Sequence, residues 1–344
     1  MKMYDQPSVR LGYIGQQSRR ELAKRAIYGR LGPCDARQDL RRHTMFFKHL
    51  SLFRLPADFA IDAETFELAL AEHPLRAPGP LELETRGFIS PFNRADAALS
   101  HGAEGATLLA LGQDTKLLPA SVLADAVNER IAEHEAKTGR RPGKRLRQEF
   151  KEAALGDLLP RAFVKHHRCL AYLDPAHRLL VVDTSSDRAA ESVVSAIREA
   201  IGAFPARPVA TEASIALLMS EWLISGQLPE GFDLGDGCEL KDPSDQASVV
   251  RCRNHDLMAD EVREHARRGK QVSQLALIYN QRIGFVLDTR CRLLNLEFLD
   301  IIADQLDEQD GADPDTVLDA EFVLMVLELR QLVQRLDQIL TFVD

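Results

Sequence analysis

The sequence is organised around residues 137–168, which have the sequence KTGRRPGKRLRQEFKEAALGDLLPRAFVKHHR. This segment contains ten Lys and Arg residues against three acidic residues, a net charge of +7, whereas the whole chain carries −9. Gly139 and Pro142 predict the end of one helix and the start of another. Apolar residues then recur at helical spacing and predict a packed face. They are Leu146, Phe150, Ala153 and Ala154.

Cations border this predicted face. At about 100° per residue, Lys144, Arg147 and Lys151 lie on one side of the helix, and Glu149 and Glu152 lie on the other. A basic edge beside a packed face is typical of helices that present cations to a polyanion. A charge run that only solvates a surface helix gives the same pattern, so both interpretations stay open at this point.

The length and composition are those of a globular protein with more than one compact unit. The chain has 344 residues, of which 45% are hydrophobic and 28% are charged, a balance that argues against intrinsic disorder. Its longest apolar runs, such as residues 179–182 and 322–327, are too short to span a bilayer, and no signal peptide is evident. We therefore expect a cytoplasmic protein without a membrane partner.

The motif search predicts no catalytic site, no metal and no cofactor. The five cysteines are scattered without any CxxC pair, so we expect reduced core residues. Residues 139–144 resemble a phosphate-binding loop but have three residues between the glycines instead of four, and Arg145 replaces the magnesium-binding Ser or Thr. His166 and His167 are adjacent, so in regular structure they diverge and cannot hold one metal from the same face.

The charge is unevenly distributed along the chain. Residues 1–44 carry +6, and residues 300–344 carry −10. An acidic protein that concentrates its cations locally accepts nucleic acid only at those places. Because residues 1–44 also lack apolar periodicity, we predict an amino-terminal extension outside the fold, with Met45 as the natural start. A basic arm that grips DNA is the alternative interpretation.

The remaining patterns predict an α+β fold. We expect a strand in the stretch from Met45 to Pro56, a helix containing Phe66 and Leu70, and a helix that begins after Pro119. Hairpins are predicted from runs 107–111 with 116–118 and 169–173 with 179–182, and Ser185 or Ser186 caps the next helix. Residues 226–243 indicate a Gly-, Pro- and Asp-rich loop. Four further strands are predicted at residues 248–253, 274–279, 283–288 and 292–298.

A second group of cations lies at the end of a helix that Gly269 terminates. Arg267, Arg268 and Lys270 are candidates for DNA contact. Cations at a helix carboxyl terminus also complement the helix dipole, so a purely structural role is equally available.

The carboxyl-terminal helix has an apolar seam with alternating steps of four and three residues, beginning Phe322, Val326, Leu329, Val333 and Leu336. Such a seam packs either against its own domain or against a second subunit. We predict a homodimer in which Phe322, Leu329 and Leu336 contribute to the interface.

Several sequence blocks occur in the order found in one known family. They are MFFKHLSLFRL (45–55), LLPASVL (117–123), LLPRAF (158–163), LVVD (180–183), the Gly269-Lys270 turn with LALIYNQRIGFVL (275–287), and DAEFVLM (319–325). With these blocks the chain resembles the RdgC family of bacterial recombination-associated proteins, from Met45 to about Leu340. The resemblance implies ring-shaped dimers of crescent subunits, nucleoid association, DNA binding without strong sequence preference, and restraint of the recombinase RecA.

The resemblance also implies a division of the subunit. It assigns residues 114–167 to a helical tip, residues 45–113 with 168–255 to an α/β centre, and residues 256–344 to a base that meets its partner. It places Phe163 near the contact between two tips. The alternative is that Phe163 folds back into its own domain.

The predicted partner is double-stranded DNA, with single-stranded DNA also possible. We expect the following residues to contact it: Lys137, Arg140, Arg141, Lys144, Arg145, Arg147, Lys151, Arg161, Lys165, Arg267, Arg268 and Lys270. The alternative function is a scaffold or inhibitor that acts by direct protein contact, with its basic patch directed at an acidic partner.

Overall fold

The computed structural model describes residues 45–92, 98–245, 247–299 and 314–343. Within them the chain forms two antiparallel sheets and seven α-helices, which confirms the α+β class. The predicted extension, residues 1–44, lies outside the described residues. No described helix is both long enough and apolar enough to cross a membrane.

The first sheet has seven strands. They are β1 (Ser51–Arg54), β2 (Glu84–Ile89), β3 (Ser100–Ala103), β4 (Ala106–Leu117), β5 (Phe163–Asp174), β6 (Leu179–Val182) and β7 (Arg207–Pro208). The order across the sheet is β2-β4-β5-β6-β1-β7, and β3 also pairs with β4. The predicted turn at Asp174-Pro175-Ala176-His177 is confirmed as the link between β5 and β6.

Both faces of the first sheet are buried where β4, β5 and β6 run side by side. Leu108 and Ala110 of β4 belong to one core cluster, and Leu109 and Leu111 belong to the other. Burial on both faces explains why these strands are continuous apolar runs instead of alternating ones. The second cluster is covered by helices α1 (Ala63–Ala71) and α4 (Asp187–Ile201). Ser186 caps α4, as predicted.

The hairpin predicted from runs 107–111 and 116–118 is wrong, because residues 106–117 form the single strand β4. Residues 112–115, a glycine and three polar residues, favour a turn. In the structure they continue the strand and pair with residues 165–168 of β5. A side-chain carbon at Gly112 would lie 2.8 Å from Leu75, so the glycine is explained by close packing and not by a turn.

The second sheet has five strands, in the order β12-β11-β10-β8-β9. They are β8 (Phe232–Lys241), β9 (Val249–Cys252), β10 (Gln271–Tyr279), β11 (Ile283–Asp288) and β12 (Leu293–Phe298). Strand β8 was expected to be loop. Since β8 and β9 share a sheet with β10, the boundary predicted at residue 255 falls between strands of one sheet.

Helices α5 (Ile215–Ser225), α6 (Asp260–Arg267) and α7 (Pro314–Leu340) complete this part of the molecule. The first core cluster contains side chains from both sheets and from α7. Phe322, Leu329 and Leu336 are each 0% exposed within the single chain. The apolar seam therefore packs against its own chain, and these three side chains have no surface left for the dimer contact that was predicted.

Helices α2 (Ala120–Thr138) and α3 (Lys144–Leu158) lie between β4 and β5 in the sequence. Neither core cluster contains a residue between Leu111 and Cys169. The His134 and Phe150 rings are 5.8 Å apart, and Arg130 pairs with Asp157, so the two helices run antiparallel against each other. The segment expected to be a helical tip also contains the ends of β4 and β5.

Candidate nucleic-acid interface

The turn between α2 and α3 concentrates positive charge. Gly139 ends α2 in the left-handed conformation, with a φ of 66°. From Lys137 to Arg147 the chain has six cations and no acid. All six side chains are exposed. They are Lys137, Arg140, Arg141, Lys144, Arg145 and Arg147. We call residues 137–147 the basic turn.

The start of α3 is electrostatically unfavourable for the helix itself. Gly143 is its N-cap and supplies no side-chain hydrogen bond, and the first turn contains no acidic residue. The amino terminus of a helix carries a partial positive charge, so Lys144, Arg145 and Arg147 each oppose it by about 0.3–1 kcal/mol. A phosphate oxygen placed there would satisfy both the free N–H groups and these cations.

Three cations of the basic turn have carboxylate neighbours, but these pairs are weak. Lys137 lies 3.7 Å from Glu133, Arg141 lies 3.5 Å from Glu135, and Arg145 lies 3.2 Å from Glu149. Since the three cationic side chains are 77–94% exposed, water screens the pairs. The pairs leave the cations available to a partner that carries more charge.

Other predicted contacts are without carboxylate partners. Within residues 98–245, none of the following cations forms an ion pair: Arg140, Lys144, Lys151, Arg161 and Lys165. All five are exposed. Arg147 donates from Nε to the Pro142 carbonyl at 3.1 Å, a bond that orients its guanidinium without neutralising it.

The acidic side of α2 restricts how a polyanion can approach. Asp125, Glu129, Glu133 and Glu135 outnumber the two cations of this helix, Arg130 and Lys137. The acids of α2 precede residue 137, so the net charge of segment 137–168 gives no indication of them. A polyanion is attracted to the basic turn and to α3, and is repelled by the preceding turns of α2.

The first half of β5 carries an exposed aromatic side chain and two exposed histidines. Phe163 is 83% exposed and stands opposite Leu117 of β4, which is 50% exposed. His166 places Nδ1 2.7 Å from the Asp114 carboxylate, and His167 points to the other face of the strand. The exposure of Phe163 excludes the alternative that its ring folds back into its own domain. Leu117 could be identified only once its register with Phe163 was known.

Each cation of the second predicted group has a partner, an acid of α6 for Arg267 and Arg268 and a serine for Lys270. Arg267 lies 3.5 Å from Asp260, and Arg268 lies 2.9 Å from Glu264. Lys270 donates to Ser248, at 2.6 Å to Oγ and 3.2 Å to the carbonyl oxygen. With acids in its first turn and His265 and Arg267 in its last, α6 complements its own dipole.

Two buried thiols and a buried carboxyl group have raised pKa values. Burial raises the pKa of Cys169 and of Cys291 to about 12. Burial also raises the pKa of Asp183, although this carboxylate accepts backbone N–H bonds from Lys48 and His49. Among the described residues, no three His, Cys, Asp or Glu side chains converge to hold a metal ion.

Comparison with known proteins gives concordant matches. A family model described as "Putative exonuclease, RdgC" matches residues 45–342. The chain is 42% identical over 289 residues to the recombination-associated protein RdgC of Xanthomonas campestris pv. campestris strain B100, which covers 84% of this chain and 95% of the relative.

Two further relatives carry the same name. The protein of Xanthomonas oryzae pv. oryzae strain MAFF 311018 is 42% identical over 291 residues, and that of Xylella fastidiosa strain M23 is 41% identical over 289 residues. Each match covers 84% of this chain and 95% of the relative. The matched region holds both sheets, the basic turn and α7, and the chain therefore belongs to the RdgC family of recombination-associated proteins.

Proposed function

We propose that this protein binds DNA without regard to sequence, encircles the duplex as a homodimer and thereby limits recombination by RecA. The observation that carries the proposal is the basic turn, which has six exposed cations and no acid beside an uncapped helix amino terminus. These charges disfavour the free helix, and a phosphate backbone relieves that conflict. Family membership supports a role in recombination.

The mechanism follows from what cations can recognise. Lys and Arg side chains that replace the counterions of phosphates bind any duplex, because the backbone charge is the same for every sequence. The acidic remainder of the chain confines the DNA to the cationic surface. A protein bound in this way denies the duplex to a recombinase, so antagonism requires no direct contact with RecA. Such a protein would be associated with the nucleoid.

Closure of the proposed dimer ring requires an apolar contact between the tips of the two subunits. Phe163 and Leu117 form an exposed pair at the end of β4 and β5, where a two-fold axis would bring two copies of the pair together. Two crescent subunits joined both there and at the base would enclose the duplex. The tip contact is small, so it opens more readily than the base and lets DNA enter sideways.

The DNA-binding part is tested by titrating unrelated duplexes at several salt concentrations. If about six phosphates are neutralised, log K against log salt has a slope near −5 for every sequence. A strong preference for one duplex, or affinity that does not change with salt, contradicts the proposal.

The ring is tested with Phe163→Ser on circular duplex DNA. We expect complexes that dissociate about tenfold faster on circles. The free energy of unfolding should not change, because the Phe163 side chain is 83% exposed. Leu217→Ser, at a 58% exposed leucine of α5, is the matched control and should leave complex lifetime unchanged. Equal lifetimes for both variants contradict tip closure.

Two other functions give different outcomes in the same assays. A scaffold that acts by protein contact would restrain RecA without affinity for DNA. An exonuclease, as the description of the family model suggests, would shorten end-labelled duplex in the presence of Mg²⁺ or Mn²⁺. We expect intact duplex after incubation under conditions in which DNA is fully bound.

A further inference from the structure

Two cysteines stand directly opposite each other at the edge of the second sheet. Cys238 of β8 and Cys252 of β9 are partners in the antiparallel register. Directly opposed residues point to the same face of a sheet, and their Cα atoms are about 5.5 Å apart or less. This separation lies within the range found in disulfides, about 4.4–6.8 Å. Both thiols are free in the structure.

The adjacent cross-strand pair, Glu239 of β8 and Arg251 of β9, fixes this register. Glu239 of β8 accepts hydrogen bonds from Arg251 of β9 at 2.6 Å and from Ser273 of β10 at 2.8 Å, and Lys241 lies 2.9 Å from it. Burial opposes the charge on Glu239, yet the hydrogen bonds from these three residues lower its pKa to about 2. Glu239 is therefore an anionic tether that holds β9 in place beside Cys238.

The two thiols differ in accessibility. Cys238 is 6% exposed and belongs to the first core cluster, whereas Cys252 is only partly buried. Among the described strands, β9 is the last of its sheet and pairs on one side only, with β8. An oxidant can therefore reach Cys252, and the edge strand can shift by the small distance that bond formation requires.

We propose that Cys238 and Cys252 are a redox-active pair that closes reversibly into a disulfide on exposure to a peroxide. Peroxide converts the Cys252 thiol to a sulfenic acid and releases one water. The Cys238 sulfur then attacks the sulfenic sulfur, the S–O bond breaks, and a second water leaves. The two thiols lose two electrons in total, which reduce one peroxide to two waters, and a dithiol reverses the change.

The disulfide adds a covalent link to an edge strand that pairs with β8. Lys270 binds Ser248, just before β9, and the disulfide would fasten the other end of the strand at Cys252. Beyond Cys252 the chain continues to α6. Oxidation would therefore stabilise the path from β9 to α6 and raise the Tm.

The test is peptide mapping of the folded full-length protein after brief treatment with hydrogen peroxide and trapping of free thiols by alkylation. We expect the loss of two of the five thiols, a linked pair of peptides containing Cys238 and Cys252, and recovery of both thiols with dithiothreitol. Cys252→Ser abolishes the link and the rise in Tm, whereas Cys34→Ser, outside the described residues, retains both.

Three results would overturn the proposal. One is the absence of the linked peptides at peroxide concentrations that oxidise exposed cysteines. The second is accumulation of sulfinic acid on Cys252 while Cys238 stays reduced. The third is a disulfide between two chains through Cys252. All three are measured on the wild-type protein, so the conclusion does not depend on whether a variant folds.

Discussion

The basic turn and helix α6 are both rich in cations, yet they treat their charge in opposite ways. In α6 the acids Asp260 and Glu261 occupy the first turn and Arg267 the last, so these charges complement the dipole. In α3 the first turn carries Lys144, Arg145 and Arg147 with no acid. The difference teaches that the density of cations in a sequence does not determine which cations are available to a partner.

The energetic contrast supports the proposal that the basic turn, and not α6, is the binding region. Arg268 has a carboxylate at 2.9 Å and Lys270 a backbone acceptor at 3.2 Å, so removing either loses a native contact. Three cations at the start of α3 together destabilise the helix by roughly 1–3 kcal/mol. A local conflict of this kind is expected at a functional site, where a ligand resolves it.

The largest effect is expected from reversing the basic turn. Arg141→Glu, Lys144→Glu and Arg147→Glu together should lower the affinity for all duplexes by roughly a hundredfold and flatten the salt slope by about 3. Unfolding stability should stay equal or rise, because Glu residues favour a helix amino terminus. Titration and thermal unfolding of the same preparation measure both quantities.

Measuring both DNA affinity and unfolding stability of this triple variant distinguishes a binding role of the three cations from a structural one. If the substituted residues only solvated a surface helix, the affinity would not change. If they held the tip together, affinity and stability would fall in parallel. Loss of RecA antagonism with unchanged DNA affinity would favour the protein-contact function.

The matched reversal in α6 should have the opposite outcome. Arg267→Glu, Arg268→Glu and Lys270→Glu together should lower the free energy of unfolding by about 1–3 kcal/mol, because ion pairs become repulsions and the Lys270 contacts with Ser248 are lost. We expect DNA affinity to fall by less than about threefold at low salt. A loss as large as that of the basic turn would show that the paired cations also bind phosphates.

Releasing a cation from its carboxylate is a smaller perturbation that sharpens the same comparison. Glu149→Gln frees Arg145 of the basic turn, and Glu264→Gln frees Arg268 at the end of α6. Both remove one negative charge from an exposed helix. We expect Glu149→Gln to raise DNA affinity about twofold to threefold and Glu264→Gln to leave it nearly unchanged. Equal gains would mean that only net charge matters and that the basic turn has no special position.

Much of the fold was predictable from local signals. The strand at Ile283–Asp288 and the turn after Asp174 have the residues that these elements require, and the structure confirms them. Strand β8 was not predictable, because Gly235 and the acids beside it disfavour strands. Its glycine is required by packing, since a side-chain carbon there would lie 2.7 Å from that of Ala276 on β10. That neighbour is 41 residues away in the sequence, beyond any local pattern.

The candidate site was predicted with less discrimination than the fold. The sequence indicated all twelve cations but could not tell that Arg267 and Arg268 have carboxylates within 4 Å. The period of the α7 seam was correct, but a seam has the same period whether it packs inside a chain or between two chains. Only burial decided that Phe322 lies in the core of its own chain.

The smallest effect is expected from removing a third cation-rich stretch, residues 1–44, by starting the chain at Met45. The family match begins at residue 45, so the matched part should bind DNA by itself. We expect the affinity to change by less than about twofold and the salt slope to stay the same. A slope that becomes shallower by several units would instead assign DNA contacts to this stretch.

The truncation also has a defined consequence for stability. In the full chain the Met45 backbone N–H donates to Glu321 Oε2 at 2.8 Å, and both residues are buried. In the shortened chain the same nitrogen is an ammonium group, so the hydrogen bond to the carboxylate becomes an ion pair in which both partners are charged. Glu321→Gln should therefore reduce the free energy of unfolding by about 1 kcal/mol more in the shortened chain than in the full chain. Equal losses in the two chains would show that the new terminus gains nothing by pairing with Glu321.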